Sequence, residues 1–351
     1  MRTRLKLRSK ESSYRNTLNR IINQQPVTAT GMKDLSIIIV CYKGWERLNK
    51  CLDSLNSFSG NSFNAEVIIV DNKSDDKTIL DIAGKFPKFR FIYNSLNGGF
   101  ANGCNVGERN ASGEFLLFLN PDTVASEPEI KKLLRVITQN PDYEIVSCRQ
   151  INENGKESNA KGTFPSIFNL TGFQRAIFKR RKPHTANRIP EIDFPDWVSG
   201  SVILLRHELF NRLGGFDEDF WMYFEDVDLC KRVSETGAKI AFCRDIIIEH
   251  NHGGSSRINL KTAAMTKTEV YISRHLYISK HKKSMEKILI QVFMVLNNII
   301  CGGIMAIIGL ILFFIPKLFS HTIIYLKLMS YYFGSLIRLS WVSPLSVNFH
   351  K

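Results

Sequence analysis

Four stretches of this chain place carboxylates, amides or imidazoles where short apolar runs stop. Residues 66–70 run into Asp71 within VDNKSDD. A carboxylate at such a strand end can accept hydrogen bonds from a nucleotide base or ribose, although an Asp-Asn turn uses the same residues structurally. The run 114–119 stops at Asn120-Pro121-Asp122 in LNPDT. Asp122 there offers a hard oxygen to Mg2+ or Mn2+ bridging a diphosphate; a plain Asn-Pro-Asp turn is the structural alternative. Residues 214–232, GGFDEDFWMYFEDVDLCKR, crowd Glu225, Asp226 and Asp228 beside Trp221, Tyr223 and Phe224. These carboxylates cannot all be buried without partners. An aromatic wall suits a sugar ring, and an adjacent carboxylate suits proton removal from a hydroxyl. An acidic helix N-terminus explains one or two of them but not the block. His250 and His252 follow in IEHNHGGSS, where one imidazole completes a metal site with Asp122 or simply lies at the surface.

Residues 97–107, NGGFANGCNVG, space Gly99, Gly103 and Gly107 four apart, along one helix face. The pattern is not G-x-G-x-x-G, so it gives no dinucleotide fingerprint. Such a stripe lets a helix approach a sheet, or a ligand meet backbone N–H groups at the helix start; close packing is the simpler reading.

The elements that must position these residues alternate. Apolar runs at 35–40, 66–70, 89–93 and 114–119 read as strands, and 45–58, 77–86, 97–109 and 130–139 as helices. Leu48, Cys51, Leu52 and Leu55 share one face of the first helix. This order predicts an α/β fold with a doubly wound sheet and its site at the strand C-termini. Residues 150–195 read as a long basic excursion, order returns over 197–206 and then 208–213, and 239–242 and 246–249 read as two last strands.

Charge divides the chain. Residues 1–33 carry eight Lys/Arg against Glu11, residues 280–351 carry eight against Glu286, and residues 34–279 are balanced at 31 of each sign. Nucleic-acid binding would place the excess on the folded part; here it flanks an apolar segment and suits an anionic bilayer. Residues 288–315 hold no charge over 28 positions, about 42 Å as one helix against a hydrocarbon core of about 30 Å. Asn297-Asn298 and Gly302-Gly303 mark a place for a break. Both flanks are basic, so the positive-inside rule selects no orientation. Either a single span or a re-entrant or in-plane hairpin follows. The organisation predicted is a basic arm (1–33), a catalytic domain (34–283) and a helical membrane-associating segment (284–351). Seven scattered cysteines without a C-x-x-C pair read as reduced, mostly buried thiols in a cytosolic setting, and no signal peptide is evident.

In this order, VDNKSDD, NGGFANGCNVG, LNPDT, VSGS with GGFDEDF, FEDVDLCKR and H-x-x-G-x-S resemble bacterial glycosyltransferase family 2, rhamnosyltransferase-like branch, over residues 35–280. The resemblance implies a GT-A fold with a mixed sheet flanked by helices, a nucleotide-diphosphate sugar donor, Mg2+ or Mn2+, and inversion at the anomeric carbon. It implies Asp226 as catalytic base. It places Asp71, Asn97, Gly98, Asn102, Asn105 and Asn120 on the nucleotide sugar, and Trp197, Gly200 and Glu225 on the acceptor. Asp122 and His250 become metal ligands, with His250, Gly253 and Ser255 fitting H-x-x-G-x-S and His252 as second choice. Asn120 departs from the first Asp of D-x-D and removes one anionic ligand. The expected activity is transfer of a sugar, best L-rhamnose from a dTDP donor, to a saccharide or lipid-linked saccharide at the cytoplasmic face of the membrane. Galactofuranose, N-acetylhexosamine or glucose donors are alternatives, as is an inactive membrane-associated nucleotide-binding protein.

Overall fold

LSIIIVC is buried on both faces of the sheet, and a strand without a polar face must lie inside a covered sheet. The computed structural model, which describes residues 33–60, 62–166, 191–251 and 259–349, makes it β1 (Lys33–Cys41), paired in parallel with β2 (Ala65–Asp71) and β4 (Gly113–Leu119). β3 (Arg90–Tyr93) adds outside β2. Helices α1 (Trp45–Asn56), α2 (Thr78–Lys85) and α3 (Gly99–Glu108) provide the crossovers. Leu48, Cys51, Leu52 and Leu55 of α1 are buried, as their spacing requires.

Beyond β4 the sheet becomes mixed. β5 (Thr123–Val124), α4 (Glu127–Gln139), β6 (Tyr143–Ile151), the short β7 (Lys161–Gly162), β8 (Ile192–Asp193) and β9 (Trp197–Val198) lead to β10 (Val202–Arg206). α5 (His207–Arg212), α6 (Glu225–Ser234) and β11 (Lys239–His250) follow. The order is β3-β2-β1-β4-β10-β6-β11-β5, with β8 on β11. β10 runs antiparallel to both neighbours. This is the α/β sheet flanked by helices that the sequence predicts.

Two details correct the sequence reading. Residues 143–151 form a nine-residue strand where no element was expected. Ser147 and Gln150 interrupt its apolar pattern but are buried and bonded: Ser147 Oγ donates to Val202 O at 2.7 Å. The ordered stretch 197–206 comprises β9 and β10, with Ser199 and Gly200 between them. Residues 239–250 form one strand instead of two, with a register shift between Cys243 and Ile247, a bulge that lets Arg244 and Asp245 leave the ladder. Most of the basic excursion, 167–190, lies outside the described residues. The seven cysteines are unpaired and all but Cys301 are buried.

The chain continues through α7 (Leu260–His281), α8 (Ser284–Ile311) and α9 (Pro316–Arg338). α8 is continuous, so the break expected near Asn297 and Gly302 is absent. Asn298 Nδ2 instead donates to Tyr332 Oη at 2.7 Å, and Gly302 and Gly303 receive the ring of Tyr325. The chain reverses at 312–315, and α9 returns along α8 with Gly309 facing Leu318 O. The hairpin leaves Ile288, Val292, Leu296, Ile300, Ile307, Ile311 and the tip residues Phe313 and Phe314 exposed. α8 is long and apolar enough to cross a membrane.

The glycine stripe on α3 serves packing. A Cβ at Gly103 would lie 2.5 Å from Val40 Cγ1, and one at Gly107 2.5 Å from Ile38 Cγ2. Gly103→Ala should therefore lose stability by about 1–3 kcal/mol through overpacking, despite a helix-propensity gain of about 1 kcal/mol. Gly84→Ala on α2, where a Cβ meets nothing within 4 Å, should be neutral or stabilising. Urea titration of both variants checks this; equal midpoints would refute the packing role.

Candidate functional site

Asp71 closes β2 opposite Cys41 and is 2 % exposed. Its Oδ1 accepts from Ser74 N at 3.0 Å, while Oδ2 is buried without a hydrogen-bond partner. Burial pushes the carboxyl up to about 6, the Ser74 bonds opposing. An orphaned acceptor at a strand end is what a ligand N–H or O–H would satisfy.

The turn behind it is an amide network. Asn72 Nδ2 donates to Asn97 Oδ1 at 3.1 Å and Gly99 O at 2.9 Å. Asn94 Nδ2 donates to Asn72 Oδ1 and Asn102 Oδ1, both at 2.8 Å. Trp221 Nε1 donates to Asn97 O at 3.2 Å. Gly99 has φ +86°, and a Cβ there would stand 1.7 Å from Trp221 O, so no other residue fits. Asn102 Nδ2 and Asn105 Nδ2 are held by the two carboxylate oxygens of Glu218 at 3.0 and 2.9 Å. Their amides brace α3 against residues 216–218, and Glu218 is a site residue that sequence reasoning missed.

The second group forms where β5 pairs antiparallel with β11, Thr123 opposite His250. Asp122 Oδ1 lies 3.2 Å from His250 Nε2 yet has no hydrogen-bond donor. Asn120 Nδ2 is 3.4 Å from the same Nε2. His250 is 3 % exposed, and its Nδ1 meets Gln150 Oε1 at 2.8 Å, an oxygen that also accepts from Ser201 Oγ at 2.7 Å. With Gln150 accepting, Nδ1 carries the proton and Nε2 turns its lone pair toward Asp122, the tautomer a metal ligand needs. An acceptor-only carboxylate oxygen beside an imidazole nitrogen fits Mg2+ or Mn2+, whose remaining positions would go to water and phosphate oxygens. Among the described residues no group of three His, Cys, Asp or Glu stands ready for a metal. His252, Gly253 and Ser255 lie outside them. Arg47 Nη1, 3.9 Å from Asp122 Oδ2, and Gln150 were not singled out in the sequence; Gln150 sits in the unrecognised β6.

The acidic block separates by partner. Asp217 and Asp219 share Lys280. Asp228 binds Arg232 and His281 at 2.8 and 2.7 Å; burial would raise its carboxyl, but these partners outweigh it and hold it low. Glu218 takes Asn102 and Asn105. Glu225 and Asp226 open α6 after Tyr223 and Phe224, which adopt left-handed φ of 70° and 69°, a conformation costly for aromatic residues and concentrated at functional sites. Asp226 Oδ2 accepts from Gly200 N at 2.8 Å and Oδ1 from Val227 N at 2.8 Å. Burial raises its carboxyl against these amides. Glu225, more deeply buried with Oε2 unpartnered, is pushed well up by burial and then by the Asp226 charge. A Cβ on Gly200 would lie 3.4 Å from both Asp226 Cβ and Phe100 Cε1, so the 97–100 loop and the Asp226 carboxylate meet there. Trp197 lies in β9 with its ring over Gly162 and Nε1 donating to Thr163 O at 2.9 Å.

The sequence profile of glycosyl transferase family 2 matches residues 36–193, and that described as the N-terminal domain of galactosyltransferase matches 181–252. The low-salt glycan biosynthesis hexosyltransferase Agl10 of Haloferax volcanii is 30% identical over 65% of this chain and 71% of its own. Rhamnosyltransferase WbbL of Escherichia coli is 26% identical over 59% of this chain and 79% of its own. The N-acetylglucosaminyl-diphospho-decaprenol L-rhamnosyltransferase of Mycobacterium tuberculosis is 27% identical, covering 58% and 71%. Among solved structures, the mannosyltransferase PcManGT of Pyrobaculum calidifontis, in complex with GDP-Man and Mn2+, shares the fold at TM-score 0.51 and 14% identity, over 92% of this chain and 94% of its own. The chain thus belongs to glycosyl transferase family 2, and is a nucleotide-sugar glycosyltransferase of glycan or polysaccharide synthesis.

Proposed function

We propose that this enzyme transfers L-rhamnose from a dTDP donor, with inversion, to a lipid-linked saccharide at the cytoplasmic membrane face. One observation carries the chemistry: every carboxylate of the acidic block except Glu225 and Asp226 is engaged by a cationic or an amide side chain. Rhamnose and the lipid-linked acceptor rest on the names of the relatives from E. coli and M. tuberculosis. Galactofuranose, N-acetylhexosamine and glucose remain the competing donors.

Asp71 Oδ2 would accept from the base or ribose, and the 97–99 loop would line the donor. A divalent cation held by Asp122 and His250 would supply positive charge for the leaving diphosphate. Asn120 sits beside that pair. Asp226, oriented by the Gly200 and Val227 amides, would take the acceptor proton as the oxygen attacks the anomeric carbon from the opposite side. A single displacement needs no carboxylate nucleophile and inverts the centre. Glu225, its carboxyl pushed up by burial, would contact the acceptor, with Trp197 and Gly200 framing its entrance.

The hairpin of α8 and α9 supports the membrane reading. Its apolar faces and its Phe313 and Phe314 tip suit hydrocarbon, and the basic ends suit anionic headgroups at roughly 1 kcal/mol per residue that reaches them.

Asp226→Asn should lower transfer by roughly two to four decades, with nucleotide affinity unchanged. In the wild type, kcat/KM should fall as pH drops through the raised Asp226 pKa, because protonation removes the base. A panel of nucleotide sugars scored by nucleotide release tests both. Near wild-type turnover by Asp226→Asn contradicts the assignment, and release only from another sugar contradicts rhamnose.

Full-length protein should sediment with anionic vesicles and resist high salt. In a Cys301→Ser background, Met285→Cys and Leu345→Cys should label from the same side of sealed vesicles, with Phe314→Cys shielded by lipid. Opposite accessibility of 285 and 345 would contradict the hairpin, and recovery in the soluble fraction would contradict attachment.

A further inference from the structure

After α9, residues 339–349 do not lead away from the catalytic domain. They cross α7 and end on the wall assigned to the donor. Leu339 turns the chain with φ 53°. Trp341 then stacks on His275 at 4.6 Å and 11°, and its carbonyl accepts from Tyr331 Oη at 2.7 Å. Farther on, Ser346 Oγ donates to Glu218 O at 2.8 Å. Asn348 Nδ2 donates to Asp219 Oδ1 at 2.8 Å. Val347 covers Gly98, where a Cβ would lie 2.7 Å from Val347 Cγ1. Ser346 and Ser343 are themselves buried.

These contacts fall on the residues that hold the donor wall in shape. Glu218 receives the strap through its backbone and grips Asn102 and Asn105 through its carboxylate. Gly98 lies between Asn97 and Gly99, which hold Asn72 next to Asp71. A shift of 346–348 would therefore move the start of α3 and the Asp71 turn together, since packed elements transmit small displacements.

From this we infer that residues 339–349 form a positioning strap for the donor site, seating the 97–99 loop and Glu218 so that the nucleotide end of the donor meets a preformed wall. The inference rests on the reading of that wall as the donor site. The strap leaves the membrane hairpin directly and is clamped to α7 on the way, so it also makes the donor wall mechanically continuous with the hairpin. Its bonds run to Glu218 and Asp219 and its side-chain cover to Gly98, on the donor wall, so its influence falls on donor binding rather than on the chemical step.

The test uses the full-length chain carrying Ser346→Ala, Val347→Ala and Asn348→Ala together, with Lys88→Ala, exposed in the turn before β3, as a control outside the strap. Affinity for dTDP, UDP and GDP is measured by calorimetry, together with donor KM, kcat and the unfolding midpoint. The triple variant should raise the Kd of the preferred nucleotide and the donor KM by roughly five- to fiftyfold while kcat stays within about twofold, the signature of lost binding rather than lost chemistry. The control should match the wild type. Hydrogen exchange on the unmodified protein gives a readout that does not depend on the variant folding: adding the preferred nucleotide should slow exchange at residues 97–100 and, in the same titration, at 346–349. Unchanged Kd and KM in a folded triple variant, or nucleotide protection confined to 97–100, overturns the strap. A wild type that binds none of the three nucleotides overturns the donor-site reading itself, and the strap with it.

Discussion

Asp122 and His250 come from segments 128 positions apart, and they meet at 3.2 Å because β5 pairs antiparallel with the end of β11. Two residues of ladder, Val124 with Glu249 and Thr123 with His250, bring a carboxylate and an imidazole face to face at the open end of the sheet. That pairing depends on β11 lying parallel to β6 and on β10 running the other way between β6 and β4. Gln150 then uses the β6 partner strand to fix the imidazole tautomer, and Asn120 closes the third side. A mixed sheet is what lets the site collect ligands from both the parallel half and its continuation.

The same economy of partners explains the acidic block. Burying several carboxylates within fifteen residues is tolerable only if each is bonded, charged against a cation or protonated. Lys280, the Arg232 and His281 pair, and the Asn102 and Asn105 amides remove Asp217, Asp219, Asp228 and Glu218 from the chemistry. What remains is Glu225, its carboxyl pushed up by burial and the neighbouring charge, beside an Asp226 held by two backbone amides, carboxyl groups of contrasting environment, which is how neighbouring acids acquire separate tasks. Lys280 and His281, which hold Asp217, Asp219 and Asp228, stand at the end of α7 immediately before the hairpin, so the acidic block and the apolar segment share one supporting helix.

Much of this was legible in the sequence because it is local. The runs LSIIIVC, AEVIIVD and GEFLLFL are strands, their polar ends border the candidate site, and α1 buries the stripe that its spacing predicts. The glycines of α3 were legible as a packing stripe for the same reason. What escaped depended on distant partners. β6 carries Ser147 and Gln150 inward, and only Val202 O, Ser201 and His250 make those polar positions affordable. Asn102 and Asn105 look like ligand contacts until Glu218, more than 110 positions later, occupies their amides. Asn298 looks like a helix break until Tyr332 of α9 accepts its hydrogen bond. The return of 339–349 onto Gly98 has no local signature at all.

The most direct test of the account is the nitrogen coordination of a divalent ion at the site. Mn2+ bound with the preferred nucleoside diphosphate should show, by electron spin-echo modulation, coupling to one imidazole nitrogen. That coupling should vanish in His250→Ala and persist in His252→Ala. Bound Mn2+ with no nitrogen coupling, or coupling that survives His250→Ala, would contradict the pairing of Asp122 with His250 as the metal-holding core of the site.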